Sequence, residues 1–71
     1  MKKIVIHTEY ITLGQFLKLS DIIQSGGEAK NYLSNHYLIV NGEKENRRGR
    51  KLRESDVIEV NNEKYLIENE S

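Results

Sequence analysis

Apolar residues recur along this chain with two different periods, and each period marks a different element. From Lys3 to His7 the β-branched residues Ile4, Val5 and Ile6 alternate, which puts Ile4 and Ile6 on one face of a short strand. Thr8 to Ile11 connects it to the next element. Thr12-Leu13-Gly14-Gln15 then fits a capping box, followed by Leu13, Phe16 and Leu17 at i, i+3 and i+4, one stripe of a short helix. Gly14 costs such a helix about 1 kcal/mol relative to alanine, so tertiary contacts must hold it. Ile22 and Ile23, inside Asp21–Gln24, are expected to plug the core beneath a loop. Ser25-Gly26-Gly27-Glu28 reads as a second capping box and opens a helix from about Gly27 to Asn35. Ala29, Tyr32, Leu33 and His36 lie along its buried side, and Lys30, Asn31 and Ser34 face outward. The amides at this helix start favour an anion.

The second half of the chain reads as strands. Tyr37 to Val40 places Leu38 and Val40 on one face, and Asn41-Gly42 is a strong hairpin signal because both residues tolerate positive φ. A return strand is expected over Glu43 to Glu45, then a loop to Leu52 and a turn at Ser55-Asp56. Val57 to Val60 directs Ile58 and Val60 inward; Asn61-Asn62 turns the chain; Lys64 to Ile67 pairs back with Tyr65 and Ile67 on one face. The order predicts an α+β domain with two short helices packed on one side of a small, mainly antiparallel sheet.

With 71 residues the chain forms one domain, 1–71, and buries only about 60% of its unfolded surface. There is no cysteine, which excludes disulfides and thiolate metal sites. The N-terminal apolar run is too short for a signal peptide or a membrane span, so a cytoplasmic protein with no membrane partner is expected. Glu68 to Ser71 is polar and is expected to fray.

Charge changes the picture most. The chain has 11 basic and 11 acidic residues. From Lys44 to Arg53 it carries Lys44, Arg47, Arg48, Arg50, Lys51 and Arg53 against the one acid Glu45, a balance of 6 − 1 = +5. The remainder therefore holds 5 basic and 10 acidic residues, a balance of −5. A neutral protein that gathers its cations into one segment offers a site for a polyanion, since each neutralised phosphate releases counterions.

Catalytic chemistry has little support. His7 and His36 lack a ligand set or triad spacing and read as structural, and Gly26-Gly27 is too short for a phosphate-binding loop. No enzymatic activity, cofactor, metal or small-molecule substrate is expected. Tyr32 and Tyr65 read as core, Tyr37 is open to either reading, and Tyr10 reads as exposed. Few free aromatics mean weak single-strand stacking, so the basic surface suits the shape and phosphates of folded RNA.

Thr12-Leu13-Gly14-Gln15-Phe16-Leu17, Ser25-Gly26-Gly27-Glu28-Ala29-Lys30, Leu38-Ile39-Val40-Asn41-Gly42, Leu52 and Asp56-Val57-Ile58-Glu59-Val60 together resemble the S4 RNA-binding domain, closest to its small stand-alone members of the YaaA type. The motif region is 12–60. The resemblance implies an RNA-facing surface built from the second helix start and the loop after the Val-Asn-Gly strand. By position it assigns RNA contacts to Lys30, Lys44, Arg47, Arg48, Arg50, Lys51 and Arg53. It implies structured RNA as the partner, with ribosomal RNA the candidate. The chain departs from the family at three places. Gly26 and Gly27 stand where an arginine and a serine are usual, which removes one phosphate contact. His36 replaces a helix-closing glycine and is expected to take a left-handed conformation, and Ser55 replaces a glycine before Asp56. The alternative readings are a protein-interaction adaptor, or an accessory that presents RNA to an enzyme.

Overall fold

The computed structural model describes residues 1–70. The elements run in the order β1 (Lys2–Ile6), β2 (Ile11–Thr12), α1 (Leu13–Leu19), α2 (Glu28–Asn35), β3 (Leu38–Val40), β4 (Glu43–Glu45), β5 (Lys51–Leu52), β6 (Val57–Val60) and β7 (Glu63–Asn69). One sheet has the order β1-β7-β6-β3-β4, and β2 and β5 form a separate two-stranded ribbon. The sheet is antiparallel except where β1 lies parallel to β7. This is the α+β arrangement expected from the hydrophobic pattern.

The helix stripe and the sheet's inward rows make one core. Leu13, Phe16 and Leu17 of α1 are fully buried, as are Leu38, Leu52, Ile58 and Ile67. Phe16 meets Tyr65 edge-on with ring centroids 5.2 Å apart, which ties α1 to β7. Ile23 is buried and Ile22 packs half-buried against the same cluster, so the segment between the helices does plug the core. The cap of α1 forms in full: Gln15 N donates to Thr12 Oγ1 at 3.2 Å, and Thr12 N donates to Gln15 Oε1 at 2.8 Å.

Turn residues fix the sheet register. Asn41 (φ 51) and Gly42 (φ 86) both sit in the left-handed region, as do Asn61 (φ 53) and Asn62 (φ 63) at the β6–β7 hairpin. Such paired positive φ values match the twist of the flanking strands. Asn41 does more than turn. Its Nδ2 donates to Asp56 Oδ1 and its Oδ1 accepts from Val57 N, both at 2.9 Å, while Asp56 Oδ2 accepts from Arg53 N at 2.8 Å. The two turns at that end of the sheet are thereby joined.

Several expectations from sequence need correcting. The second capping box does not form: no side-chain hydrogen bond caps α2, and the helix starts at Glu28 behind Gly27. The turn closes through the backbone instead, with Glu28 N donating to Ser25 O at 3.1 Å and Ala29 N to Gly26 O at 3.3 Å. His36 is extended (φ −140, ψ 159), not left-handed, because the chain runs straight from α2 into β3 without reversing. Its ring is exposed and lies 4.5 Å from that of Tyr32. Glu68 and Asn69 are not frayed: β7 runs to Asn69, and Glu70 N donates to Ile6 O at 3.0 Å. Ser71 lies outside the described residues.

Ser55 has φ 76, where the family's usual glycine would sit without strain. A left-handed non-glycine residue costs roughly 1–2 kcal/mol, partly offset by the looser unfolded chain that glycine brings. Ser55→Gly is therefore expected to stabilise the domain by about 0.5–1 kcal/mol and to raise Tm by about 2–8 °C. A melting curve that is unchanged or shifted down would contradict this.

Candidate nucleic-acid interface

The basic loop between β4 and β5 is not a free tip. Leu13 N donates to Arg50 O at 2.8 Å and Gly14 N donates to Arg48 O at 3.0 Å. The first amides of any helix lack partners within it. Here the loop supplies the carbonyls that satisfy two of them, and so docks on the start of α1. Gly14, which helix propensity alone disfavours, lies directly beneath this loop. A Cβ at that position would lie 3.1 Å from Arg48 Cγ and 3.6 Å from Arg48 O. The glycine leaves room for the Arg48 side chain, whereas the loop backbone would lie at ordinary contact distance from a Cβ.

Docking fixes where each cation goes, and they go to different places. Arg47 forms a two-pronged pair with Glu45, with Nε to Oε2 and Nη2 to Oε1 both at 2.9 Å, and its backbone N donates to Oε2 at 3.1 Å. Arg50 Nε lies 3.3 Å from the same carboxylate. Glu45 faces the core side of β4 opposite Leu38, with its side chain 11% exposed. It thus offsets part of the charge of two arginines and sets their direction.

The hydrogen bond from the Arg47 side chain, with its backbone bond and the two guanidinium charges, holds the Glu45 carboxyl down at about 2, although partial burial pushes the other way. A carboxyl depressed in the folded state stabilises above its unfolded value near 4.5, and that contribution is lost as pH falls through about 2. Because Arg47 is largely exposed, solvent screening keeps that contribution well below what the full shift would imply. Stability measured by denaturant from pH 5 to pH 2 is expected to fall less steeply in Glu45→Gln than in the wild-type protein. Parallel curves would remove this pair from the acid response.

Arg48 has a different setting. Among the described residues it has no carboxylate partner. It lies between two adjoining surface grooves. One, of about 330 Å³, is bordered by Lys30, Ser34 and Asn46. The other, of about 390 Å³, is floored by Gly14 and Ala29 and bordered by Lys18 and Gln15. Lys30 on the outer side of α2 and Arg48 on the loop therefore border the same groove. Lys18, in the last turn of α1, joins them and escaped the sequence reading. Its signal was present: it follows the buried pair Phe16–Leu17 and so points away from the core.

The other predicted residues lie elsewhere. Lys51 and Arg53 flank the Tyr10 ring, 4.8 and 5.3 Å from its centroid, on the β2–β5 ribbon. Arg53 Nη1 also reaches Glu9 Oε1 at 3.3 Å. Lys44 belongs to β4, pairs with Ile39, and sits 4.7 Å above the exposed Tyr37 ring. Alternation puts it on the sheet face away from the helices, so the structure does not bring it to Lys30 and Arg48. The start of α2 is a poor anion site, because Glu28 occupies its first turn and the Glu28 and Ala29 amides are already bonded.

Among the described residues no helix is long and apolar enough to cross a membrane. No cluster of His, Asp or Glu there is arranged to hold a metal ion.

A fold of two helices on a mixed sheet, with a basic loop docked at the first helix, defines a class, and comparison with known proteins agrees. The family model described as "S4 domain" matches residues 4–68, and the chain belongs to that family. It is similar to the "Probable ribosome maturation protein RlbA" of Bacillus subtilis (strain 168), with 65% identity over 57 residues that cover 80% of each chain.

Proposed function

We propose that this domain is a non-catalytic module of the cytoplasm that binds folded RNA through phosphates, with ribosomal RNA or a ribosomal particle the target. The observation that carries the reading is the convergence of Lys18, Lys30 and Arg48 on adjoining grooves in a chain of the S4 family. The name of its relative, a probable ribosome maturation protein, supports the choice of target. The mechanism is rigid presentation. The loop is held to α1 by its own carbonyls, and α2 is held by Ala29 and Leu33 in the core, so the backbone positions that bear the three cations keep a fixed spacing. Phosphates that match the spacing bind without ordering the loop first, which lowers the entropic cost of association. Arg47 and Arg50, drawn to Glu45, and Lys51 and Arg53, beside Tyr10, extend the positive field around the grooves. Contacts to phosphate position the RNA and do not read its sequence, so specificity arises from shape.

Titration of a folded RNA against the wild-type protein and an Arg47→Ala, Arg48→Ala, Arg50→Ala variant tests the loop. With four to six phosphates engaged, the log–log salt slope for the wild type is expected at about −4 to −5 by the duplex rule. Equal affinities and equal slopes for both proteins would take the loop out of the mechanism. Recovery of the protein from cell extract with and without ribonuclease separates RNA binding from the adaptor reading. Ribonuclease-sensitive association supports RNA, and resistant association supports a protein contact.

A further inference from the structure

The β2–β5 ribbon carries a feature that the phosphate grooves do not use. Ile11 and Leu52 pair with each other and are both buried. Side chains alternate along a strand, so Thr12 and Lys51, the next pair, occupy the opposite face, and Tyr10 and Arg53 extend that face. The cation–ring distances agree with this placement: Lys51 lies 4.8 Å and Arg53 5.3 Å from the Tyr10 centroid. Tyr10 is 37% exposed, and its backbone is steadied by Thr8 Oγ1, which donates to Tyr10 O at 2.7 Å. Thr12 borders the same groove as Lys18 and Arg48. The ring therefore stands about 7 Å along the backbone from the groove's edge.

We infer that Tyr10 is a stacking platform for one unpaired nucleobase of the RNA whose phosphates occupy the groove. The inference rests on the RNA reading above and narrows it: the preferred ligand is a helical RNA with an unpaired nucleotide beside the duplex. In the free protein the ring is partly covered by Lys51 and Arg53. An exposed cation–ring contact is worth a factor of about two to five in an equilibrium, whereas a base stacked on an aromatic ring is worth about five to a hundred. A base therefore displaces a cation from the ring. The displaced ammonium or guanidinium, still on the same face, then meets that nucleotide's own phosphate.

The test uses two RNA duplexes that share one paired sequence, each annealed from two strands so that neither has a loop. The first ends blunt. The second carries short single-stranded extensions containing 2-aminopurine, whose fluorescence is quenched on stacking. Wild-type protein is expected to bind the extended RNA more tightly and to quench its fluorescence. Tyr10→Leu is expected to lose the quenching and about tenfold in affinity on the extended RNA, with the blunt duplex unaffected. Tyr10→Phe and Tyr10→Trp keep a ring and are expected to retain both effects. A ring that only orients Lys51 and Arg53 predicts equal losses on the two RNAs for Tyr10→Leu, and that result overturns the inference while leaving the RNA reading intact. Unchanged quenching in Tyr10→Leu does the same. Failure of the wild-type protein to bind either RNA overturns the RNA reading, and this inference with it.

Discussion

Changing Lys18, Lys30 and Arg48 together to alanine is expected, on the proposed reading, to lower affinity for folded RNA by about a hundredfold near physiological salt, roughly a factor of five for each phosphate contact removed. The salt slope becomes shallower by about two to three for the same reason. The fold is not at risk, because all three side chains are exposed and none forms an ion pair among the described residues. Surface changes of this kind usually move stability by less than about 0.5 kcal/mol. Salt-dependent binding isotherms, with a melting curve as control, measure both quantities. The contrast with the Glu45-paired arginines is informative. Arg47 and Arg50 already share a carboxylate, so a phosphate would have to compete with Glu45 for them, whereas at Arg48 it would meet no carboxylate rival among the described residues. A groove variant that binds as tightly as the wild-type protein would move the RNA to another face.

Phe16→Ala is expected to destabilise the domain more than any other single substitution proposed. Phe16 is fully buried and its ring is the edge-on partner of Tyr65, joining α1 to the middle of the sheet. Truncating such a phenylalanine costs about 3–5 kcal/mol, from lost burial and from the cavity left behind. A domain of 71 residues has a total stability on the order of 4–10 kcal/mol. The change thus removes a third to all of it, and Tm is expected to fall by about 15 °C or more. Circular dichroism melts settle the point. Phe16→Leu, which keeps most of the volume, serves as the comparison and is expected to lose about 1.5 kcal/mol or less. An alanine variant that melts within about 4 °C of the wild type would show that α1 is not held by this contact.

The charge run illustrates how far a one-dimensional reading reaches. Counting signs from Lys44 to Arg53 located the basic segment correctly. Counting does not show pairing, and the acid that matters most, Glu45, lies just ahead of the arginines it draws in. Its side chain alternates to the core side of β4, so the arginines that follow fold back onto it. Lys44, one residue earlier, alternates to the other sheet face. Adjacent cations thus part company through the two-residue strand period, which became visible once β4 had a pairing register. The α2 start failed for a different reason. Ser-x-x-Glu is a local signal, and here the Glu28 amide donates to Ser25 O, while the Ser25 hydroxyl donates to the Glu28 carboxylate instead of accepting from that amide.

The sequence by itself determined the α+β class, the stripe of Leu13, Phe16 and Leu17, the Asn-Gly and Asn-Asn turns, and the family. These rest on short-range periodicity and on residues whose φ preferences act wherever they stand. Only the tertiary structure decided that the basic loop is docked, that Gly14 lies beneath the Arg48 side chain, and that Lys18 joins Lys30 and Arg48 while Lys44 does not. Those outcomes depend on hydrogen bonds between residues more than thirty positions apart, Leu13 to Arg50 and Gly14 to Arg48, and no local pattern encodes which distant carbonyl a helix's free amides will find.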